Sequence, residues 1–389
     1  MKEREIFYGY ERPRGVGVRN HVLILPTVAC SVRTAIKIAE SVKGCKVAVH
    51  SLGCAQAGKD LEITYRTLRN TARNPNVASV LLVSLGCEKI QYNKLADEIS
   101  EVGKRVELVV IQELGGTKKA VEKGVRIAKE LTEEAFKLRR RAFDLGELIV
   151  AVECGGTDWT SGISANPAVG YAMDMIIDRG GSVVFSETAE IIGAEHILLK
   201  RAKDEKVRRD LMKLVKRMEH RFKALGLPAR ETNPSRGNIT GGITTLEEKS
   251  LGAIYKAGTR PLEGVLEYAE EIPRGKGLFF MDTPGHDVES VTGMVAGGAQ
   301  IVVFTTGLGT PVGNPIAPVI KVTGNPDTYR KLRDDIDINA GTIIDGQENI
   351  EEVGKRIYEK IISVASGEMT KSEISEHDEF SISREFPSF

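Results

Sequence analysis

Residues 22–30 read VLILPTVAC, an apolar run of β type that stops on a cysteine. The design recurs: VAVHSLGC ends at Cys54, VLLVSLGC at Cys87 and LIVAVEC at Cys154. Runs this short and this uniformly apolar suit strands covered by helices on both faces, as in a parallel sheet. Strands are expected at 21–28, 46–50, 79–85 and 106–111, and helices between them at about 31–42, 58–73 and 89–102. Strict alternation of β and α segments predicts parallel strands joined by right-handed crossovers.

A polar helix is expected over 117–143. A second unit starts near Glu147, with strands at 147–154, 182–187, 277–281, 300–305 and 317–322 and helices at 193–224 and 346–365. The chain therefore reads as α/β, with two Rossmann-like parallel-sheet domains, 1–145 and 146–389, and a cleft between them. The stretch 228–245, PARETNPSRGNITGGITT, is a loop of the kind that carries function. The polar tail after about 366 is expected to be poorly ordered.

Composition narrows the function classes. The 389 residues are 41% hydrophobic and 28% charged, which is ordinary for a globular protein. Lys+Arg and Asp+Glu both number 54, so no global field draws the chain to nucleic acid or to a membrane surface. No run of about 20 apolar residues is present, and the charged start lacks a signal-peptide centre. A cytoplasmic, reducing location is expected. In such a compartment the five cysteines point to metal binding or chemistry rather than to disulfides.

Ligands of open parallel sheets bind beyond the carboxyl ends of the strands, where Cys30, Cys54, Cys87 and Cys154 all fall. Convergent thiolates suit iron, zinc or an iron–sulfur cluster. The alternative is that each is a small buried hydrophobe. Cys45 opens a strand and reads as structural. His50 stands four residues before Cys54 and could act as ligand or base. Arg19 and Asn20 suit a substrate carboxylate. Glu187 and His286 follow apolar strands as acid or base candidates, and Lys249 is a further base or cation. The glycines and polar residues of CGGTDWTSG, including Gly155, Gly156, Asp158 and Ser161, could hold an acid through backbone N–H groups. The Thr305–Thr306 loop could do the same. No GxGxxG or Walker loop is present, which weighs against a nucleotide.

The blocks GYERPRGVGVRNHVLILPTVAC, NPNVASVLLVSLGCE, CGGTDWTSGISANPAVGYAMD, GGSVVFSETAEIIGAEH, NPSRGNITGGITTLEEKSLGAIYKAGTRPL and FMDTPGHD run in order through the chain. Together they resemble the altronate/galactarate dehydratase family, which also includes the large subunit of sulfolactate sulfo-lyase. The resemblance implies a lyase that removes water from a sugar acid or related 2-hydroxy acid. It implies dependence on a divalent metal, Fe(II) first, with an iron–sulfur cluster, Mn or Zn as alternatives. Asn166 enters the substrate-binding set through the third block. The family's small N-terminal domain is expected here on a separate subunit, and a homo-oligomer is expected. Asn314 stands where sugar-acid members tend to carry a cysteine. The alternatives are the large subunit of (2R)-sulfolactate sulfo-lyase and a non-catalytic protein that binds a small acid.

Overall fold

A computed structural model describes residues 5–228 and 232–389. Part of the loop at 228–245 therefore lies outside the described residues. Two sheets are wholly parallel. The smaller has the order β4-β3-β5-β6, formed by β3 (His21–Pro26), β4 (Cys45–Val47), β5 (Val77–Ser84) and β6 (Arg105–Val110). The larger has seven strands in the order β10-β11-β9-β8-β12-β13-β14. These are β8 (Ile149–Cys154), β9 (Ser182–Phe185), β10 (Leu262–Leu266), β11 (Gly277–Met281), β12 (Ile301–Thr306), β13 (Val319–Thr323) and β14 (Ile338–Asn339). An antiparallel ribbon of β1 (Ile6–Glu11), β2 (Val16–Gly17) and β7 (Arg141–Asp144) joins the chain start to the connector between the sheets.

Alternate residues of each strand enter different interiors, as the pleat requires. Along β3, Val22 and Ile24 face one core while Leu23 and Leu25 face another. Along β8, Val150 and Val152 point one way and Ile149 and Ala151 the other. Leu23, Leu25, Ile149 and Ala151 all belong to one shared core. That core also takes Ile63 and Leu68 of the helix Gly58–Arg73 and Val291 and Met294 of the helix Asp287–Ala296.

The segment Asn74-Pro75-Asn76 clamps the two units. Asn74 Nδ2 donates to Val295 O at 2.7 Å and Ala299 O at 2.9 Å, satisfying the carboxyl end of the helix Asp287–Ala296. Asn76 Nδ2 donates to Gln300 O at 2.8 Å and Ile316 O at 3.0 Å. Both amides are buried with partners, as burial of a polar group demands.

Two expected helices change in detail. The helix expected over 193–224 is two helices, Glu195–Arg201 and Glu205–Ala224. Ala202 bridges to Leu262, and Asp204 restarts the helix by accepting from Val207 N at 2.9 Å. The helix from 117 stops at Lys137, and Arg141–Asp144 pairs with β1 instead.

The tail is ordered rather than loose, because it supplies partners for buried charge. Arg19 donates to both carboxylate oxygens of Glu373, at 2.6 and 2.7 Å, and to the carbonyls of Val18, Val364 and Glu368 at 2.7–2.9 Å. These contacts use all five guanidinium N–H donors and leave none for a substrate carboxylate. Asn20, read with it, accepts from Arg12 at 2.6 Å and donates to Ala135 O at 2.7 Å. Further along the tail, Asp60 accepts from the backbone N–H groups of Glu385 and Phe386. Replacing Arg19 by Ala strands a buried carboxylate and is expected to cost about 3–5 kcal/mol. Limited proteolysis should then cut the variant beyond residue 366, within the segment held by Glu373. A tail equally protected in variant and wild type would contradict the clamp.

Candidate active site

In the larger sheet β8 has β9 on one side and β12 on the other, so chain order reverses beside it. Such a switch point is where an open parallel sheet offers a crevice at its carboxyl edge. At that edge β8 ends in Glu153 and Cys154, and β9 leads into Glu187 and Glu190. The helix Leu246–Ile254 and the turn Tyr255–Ala257 face them.

Lys256 is the centre of the cluster and is only 1% exposed. Its Nζ donates to Cys154 Sγ at 2.8 Å and lies 3.3 Å from Glu190 Oε2 and 3.5 Å from Glu187 Oε2. The Cys154 thiol donates to the same Glu190 oxygen at 3.0 Å. Lys249 Nζ meets the other Glu190 oxygen at 3.0 Å and donates to Asn233 Oδ1 at 3.0 Å. Lys249 and Lys256 are seven residues apart, two helical turns, which brings both to one acid.

A second layer of acids borders this one. Glu153 Oε2 accepts from Ser290 Oγ at 2.5 Å and Ser186 Oγ at 3.3 Å. Asp287 lies over the β8 end: a Cβ on Gly155 would come within 2.2 Å of its carboxylate. Only glycine permits that approach. Glu187 has φ +72°, a left-handed conformation uncommon outside glycine, and its N–H donates to Thr283 Oγ1 at 2.9 Å. A non-glycine residue held there stores strain, as residues at working sites do.

Acid groups outnumber the two ammonium groups, and their titration shows it. Burial, then the neighbouring Glu153 and Glu190, push the Glu187 carboxyl well above the usual range. Burial, with Glu153 and Glu190, pushes Asp287 up to about 7. Burial also works against ionised Glu190, but Lys249 and Lys256 outweigh it and hold this carboxyl below the usual range. Burial likewise opposes the charge on Lys256, while Cys154, Glu190 and Glu187 raise its pKa well above the usual lysine value. Cys154 is pushed up by burial and by Glu190, which keeps it a thiol. Near neutral pH the site thus holds two fixed cations, one fixed anion and two carboxyls able to carry protons.

The remaining residues singled out in the sequence divide by place. Asp158 accepts from Thr160 Oγ1 at 2.6 Å, Ser161 Oγ at 3.2 Å and Asn325 Nδ2 at 2.9 Å, so Asp158 and Ser161 brace the loop from within. Asn166 accepts from Thr305 Oγ1 at 2.6 Å and donates to Gly252 O at 3.0 Å. Thr306 Oγ1 accepts from Gly309 N, and Gly156 O accepts from Gly307 N and Leu308 N. These groups support the β8–β12 edge from below the cluster. His286 is exposed, with Nδ1 3.6 Å from Glu289. His50 is buried in the smaller unit, where Nε2 donates to Pro26 O at 2.8 Å and Nδ1 accepts from Leu52 N at 3.2 Å. Burial lowers its pKa.

The four strand-end thiols do not come together. Cys154 is buried beside Lys256, while Cys30, Cys54 and Cys87 are exposed at the edge of the smaller sheet. Among the described residues, Cys154–Glu187–Glu190 and Glu153–Glu187–Asp287 each place three donor atoms within 4.8 Å of one another. Lys256, Glu190, Glu153 and Asp287 are the members absent from the sequence-derived set. Glu153 and Lys256 carried a signal: each is a charge inside an otherwise apolar stretch, LIVAVEC and GAIYKAG.

Comparison with known proteins covers nearly the whole chain. Residues 9–136 match the family described as D-galactarate dehydratase/altronate hydrolase, second domain. Residues 145–388 match D-galactarate/altronate dehydratase, C-terminal. A (2R)-sulfolactate sulfo-lyase subunit beta from Chromohalobacter salexigens is 39% identical over 387 residues, spanning 98% of each chain. An altronate dehydratase from Bacillus subtilis is 37% identical over 392 residues, spanning 98% of this chain and 78% of that one. An altronate dehydratase from Escherichia coli is 34% identical, spanning 96% and 76%.

The raised Asp287 carboxyl has a consequence for stability. The folded state keeps its proton up to about pH 7, whereas the unfolded chain releases it near 3.8. The stabilisation is therefore complete below about pH 3.8 and lost as pH rises through about 7. In Asp287→Asn this loss is absent. The melting temperature of the variant should rise relative to wild type between those limits. Parallel pH profiles for the two proteins would contradict the assignment.

Proposed function

The chain belongs to the D-galactarate/altronate dehydratase family, and from that premise we propose that it is a lyase that eliminates a β-substituent from a 2-hydroxy carboxylic acid. The observation that carries this reading is the buried Lys256, ringed by Cys154, Glu190 and Glu187, with Asp287 as a second protonatable carboxyl beside Glu187. Removing a proton next to a carboxylate piles charge on an already anionic group. Fixed cations that await that charge are the largest aid such a reaction can have. Lys249 and Lys256 supply them, and Glu190 holds both in place.

Asp287, titrating at about 7, is suited to take the Cα proton, since a base works best with a pKa near the working pH. Glu187, whose pKa is raised, retains a proton to give to departing hydroxide, which leaves as water. The Cα–H bond breaks and its proton goes to Asp287, the C–C double bond forms, and the C–O bond breaks as hydroxide takes the Glu187 proton and leaves as water; the proton on Asp287 then passes back to Glu187 by exchange with solvent, which restores both carboxyls. The strained turn at Glu187 and the glycine beneath Asp287 fix the two groups on the β8–β9 edge.

The donor sets differ in what they suit. In Cys154–Glu187–Glu190 the Lys256 ammonium already occupies the place of a cation, so this set does not fit a metal. Glu153, Glu187 and Asp287 are all oxygen donors and fit a hard divalent ion, which would supply positive charge against the developing enediolate. Protons and such an ion compete for the same oxygens.

A second reading, loss of sulfite rather than water, is favoured by the end-to-end match to a protein named as a sulfo-lyase subunit. The word subunit in that name also supports a separate small partner for this chain. Sulfite leaves as a stable anion and needs no proton from Glu187, so the two chemistries separate at one residue.

The full chain, with a small partner subunit added, should be assayed anaerobically on altronate, galactarate and (2R)-sulfolactate. Lys256→Met and Glu187→Gln should each lower kcat for water loss at least about 100-fold, the scale of one removed electrostatic or acid–base group. Glu187→Gln should spare sulfite release. Unchanged kcat in both folded variants, or tight binding of an acid without turnover by wild type, would contradict the lyase reading.

A further inference from the structure

A cavity of about 510 Å³ opens where the two units meet, and its walls come from both. Its size is that of a small-molecule pocket. It lies ahead of the strands, not beyond them. Arg73 and Asn74 stand just before β5, Arg274 just before β11 and Gly298 just before β12. Arg14 and Gly15, in the turn between β1 and β2, complete the wall. The cluster around Lys256 is at the carboxyl ends of β8 and β9, so the two places occupy opposite edges.

Three arginines line this cavity and, among the described residues, share one lining acid, Glu271. Arg14 Nη1 lies 3.6 Å and Arg73 Nη1 3.3 Å from the same Glu271 oxygen, which brings two guanidinium groups to one point. Arg274 packs over Gly15, where a Cβ would run into its guanidinium. Gly15 has φ +78°, so the turn and the close approach both call for glycine. The donors are not used up: Arg73 Nε and Arg274 Nη1 are buried without a hydrogen-bond partner. A buried N–H without an acceptor is costly and needs a reason. Glu271 and Arg14 are both half-exposed, so that pair contributes little by itself. Burial lowers the Arg73 pKa; Glu271 raises it and Arg14 lowers it again. Burial lowers the Arg274 pKa too, with Glu147 opposing and Arg14 adding to the effect. Behind them Lys104 is buried on the carbonyls of Ala72, Asn74 and Val77, its pKa lowered by burial and then by Arg12, Arg274 and Arg73.

We propose that this cavity binds a phosphate group, with Arg14, Arg73 and Arg274 as its ligands. A planar guanidinium fork takes phosphate oxygens two at a time. Three such forks suit a group with three terminal oxygens and about two negative charges. A carboxylate offers less of both, and Glu271 already shows where one oxygen fits. Incoming phosphate displaces Glu271 from Arg14 and Arg73, so Glu271 is an internal competitor. A bare phosphate fills only a small part of the cavity, which favours a phosphate monoester over the free ion. This inference does not rest on the lyase reading, because binding needs no turnover.

The full-length chain is titrated by calorimetry at low ionic strength with inorganic phosphate, glycerol 3-phosphate, glycerol and succinate. The first three lack the carboxylate that a lyase site for hydroxy acids would recognise. Wild type should bind glycerol 3-phosphate at one site per chain and should not bind glycerol. Arg73→Gln and Arg274→Gln should each weaken that binding at least about tenfold, the loss of one charge-assisted fork. Glu271→Gln should tighten it, and Arg330→Gln, exposed and outside the cavity, should leave it unchanged. Glycerol 3-phosphate bound more tightly than phosphate assigns a monoester; equality or the reverse assigns the free ion, and both uphold a phosphate site. No saturable binding of either, binding unmoved by Arg73→Gln and Arg274→Gln, or succinate bound as tightly as glycerol 3-phosphate would each overturn the assignment. If Arg73→Gln or Arg274→Gln misfolds by circular dichroism, Arg14→Gln, at an exposed position, is read in its place.

Discussion

One buried ammonium group organises the larger unit. Lys256 is enclosed at 1% exposure by a thiol and two carboxylates, and it is the charge that lets Glu187 and Glu190 share an interior. A buried acid without a cation would shed its charge by taking a proton. Glu190 does not, since Lys249 and Lys256 bind its two oxygens separately. Glu187, with only a distant share of Lys256 and with Glu153 beside it, keeps its proton. Two acids three residues apart are thus driven to opposite states by which ammonium groups they reach. That divergence gives one site both a proton donor and a fixed electrostatic frame.

The frame depends in turn on how the chain is wound. Parallel strands deliver their carboxyl ends to one edge, so residues remote in sequence, Glu153, Glu187, Asp287 and Thr305, meet there. The helix Leu246–Ile254 and the turn Tyr255–Ala257 then lay Lys249 and Lys256 across that edge. Asn74 ties the smaller unit to the carboxyl end of the helix that begins at Asp287, and Asn76 ties it to Gln300 and Ile316. The same edge of the smaller unit is chemically different. It leaves three thiols exposed, while the larger unit buries its one thiol against an ammonium. Family membership across residues 9–136 and 145–388 covers both edges.

Much of this was legible in the residues. Short apolar strands alternating with amphipathic helices announced two parallel sheets, and the helix at 58–73 came out as Gly58–Arg73. The strand-end rule put Cys154 and Glu187 at the carboxyl edge of a parallel sheet, where the structure also has them, and Lys249, read separately as a base or cation, reaches Glu190 there. What escaped was long-range pairing. The strands β1 and β7 lie more than a hundred residues apart and signal nothing until they meet. Arg19 has the profile of an anion ligand, but its carboxylate is Glu373 of its own tail. Asp158 was a fair candidate by its neighbours, yet the same neighbours consume its oxygens. Lys256 was not singled out, although a lone charge in GAIYKAG was the signal; the fold shows that stretch to be interior, with Lys256 only 1% exposed. Grouping the four thiols had Cys154 close the site from across a cleft, whereas Cys154 is buried beside Lys256 and the other three are exposed.

The central physical claim is that Lys256 carries a permanent charge in a dry site. Nitrogen-15 NMR of lysine-labelled protein tests it directly, with the Lys256 signal assigned by its loss in Lys256→Met. The side-chain nitrogen is expected to keep the ammonium chemical shift at every pH at which the fold survives, in line with a pKa raised by Cys154, Glu190 and Glu187. A nitrogen that loses its proton near neutral pH would mean that burial wins over the acids around it, and the electrostatic frame of the site would go with it.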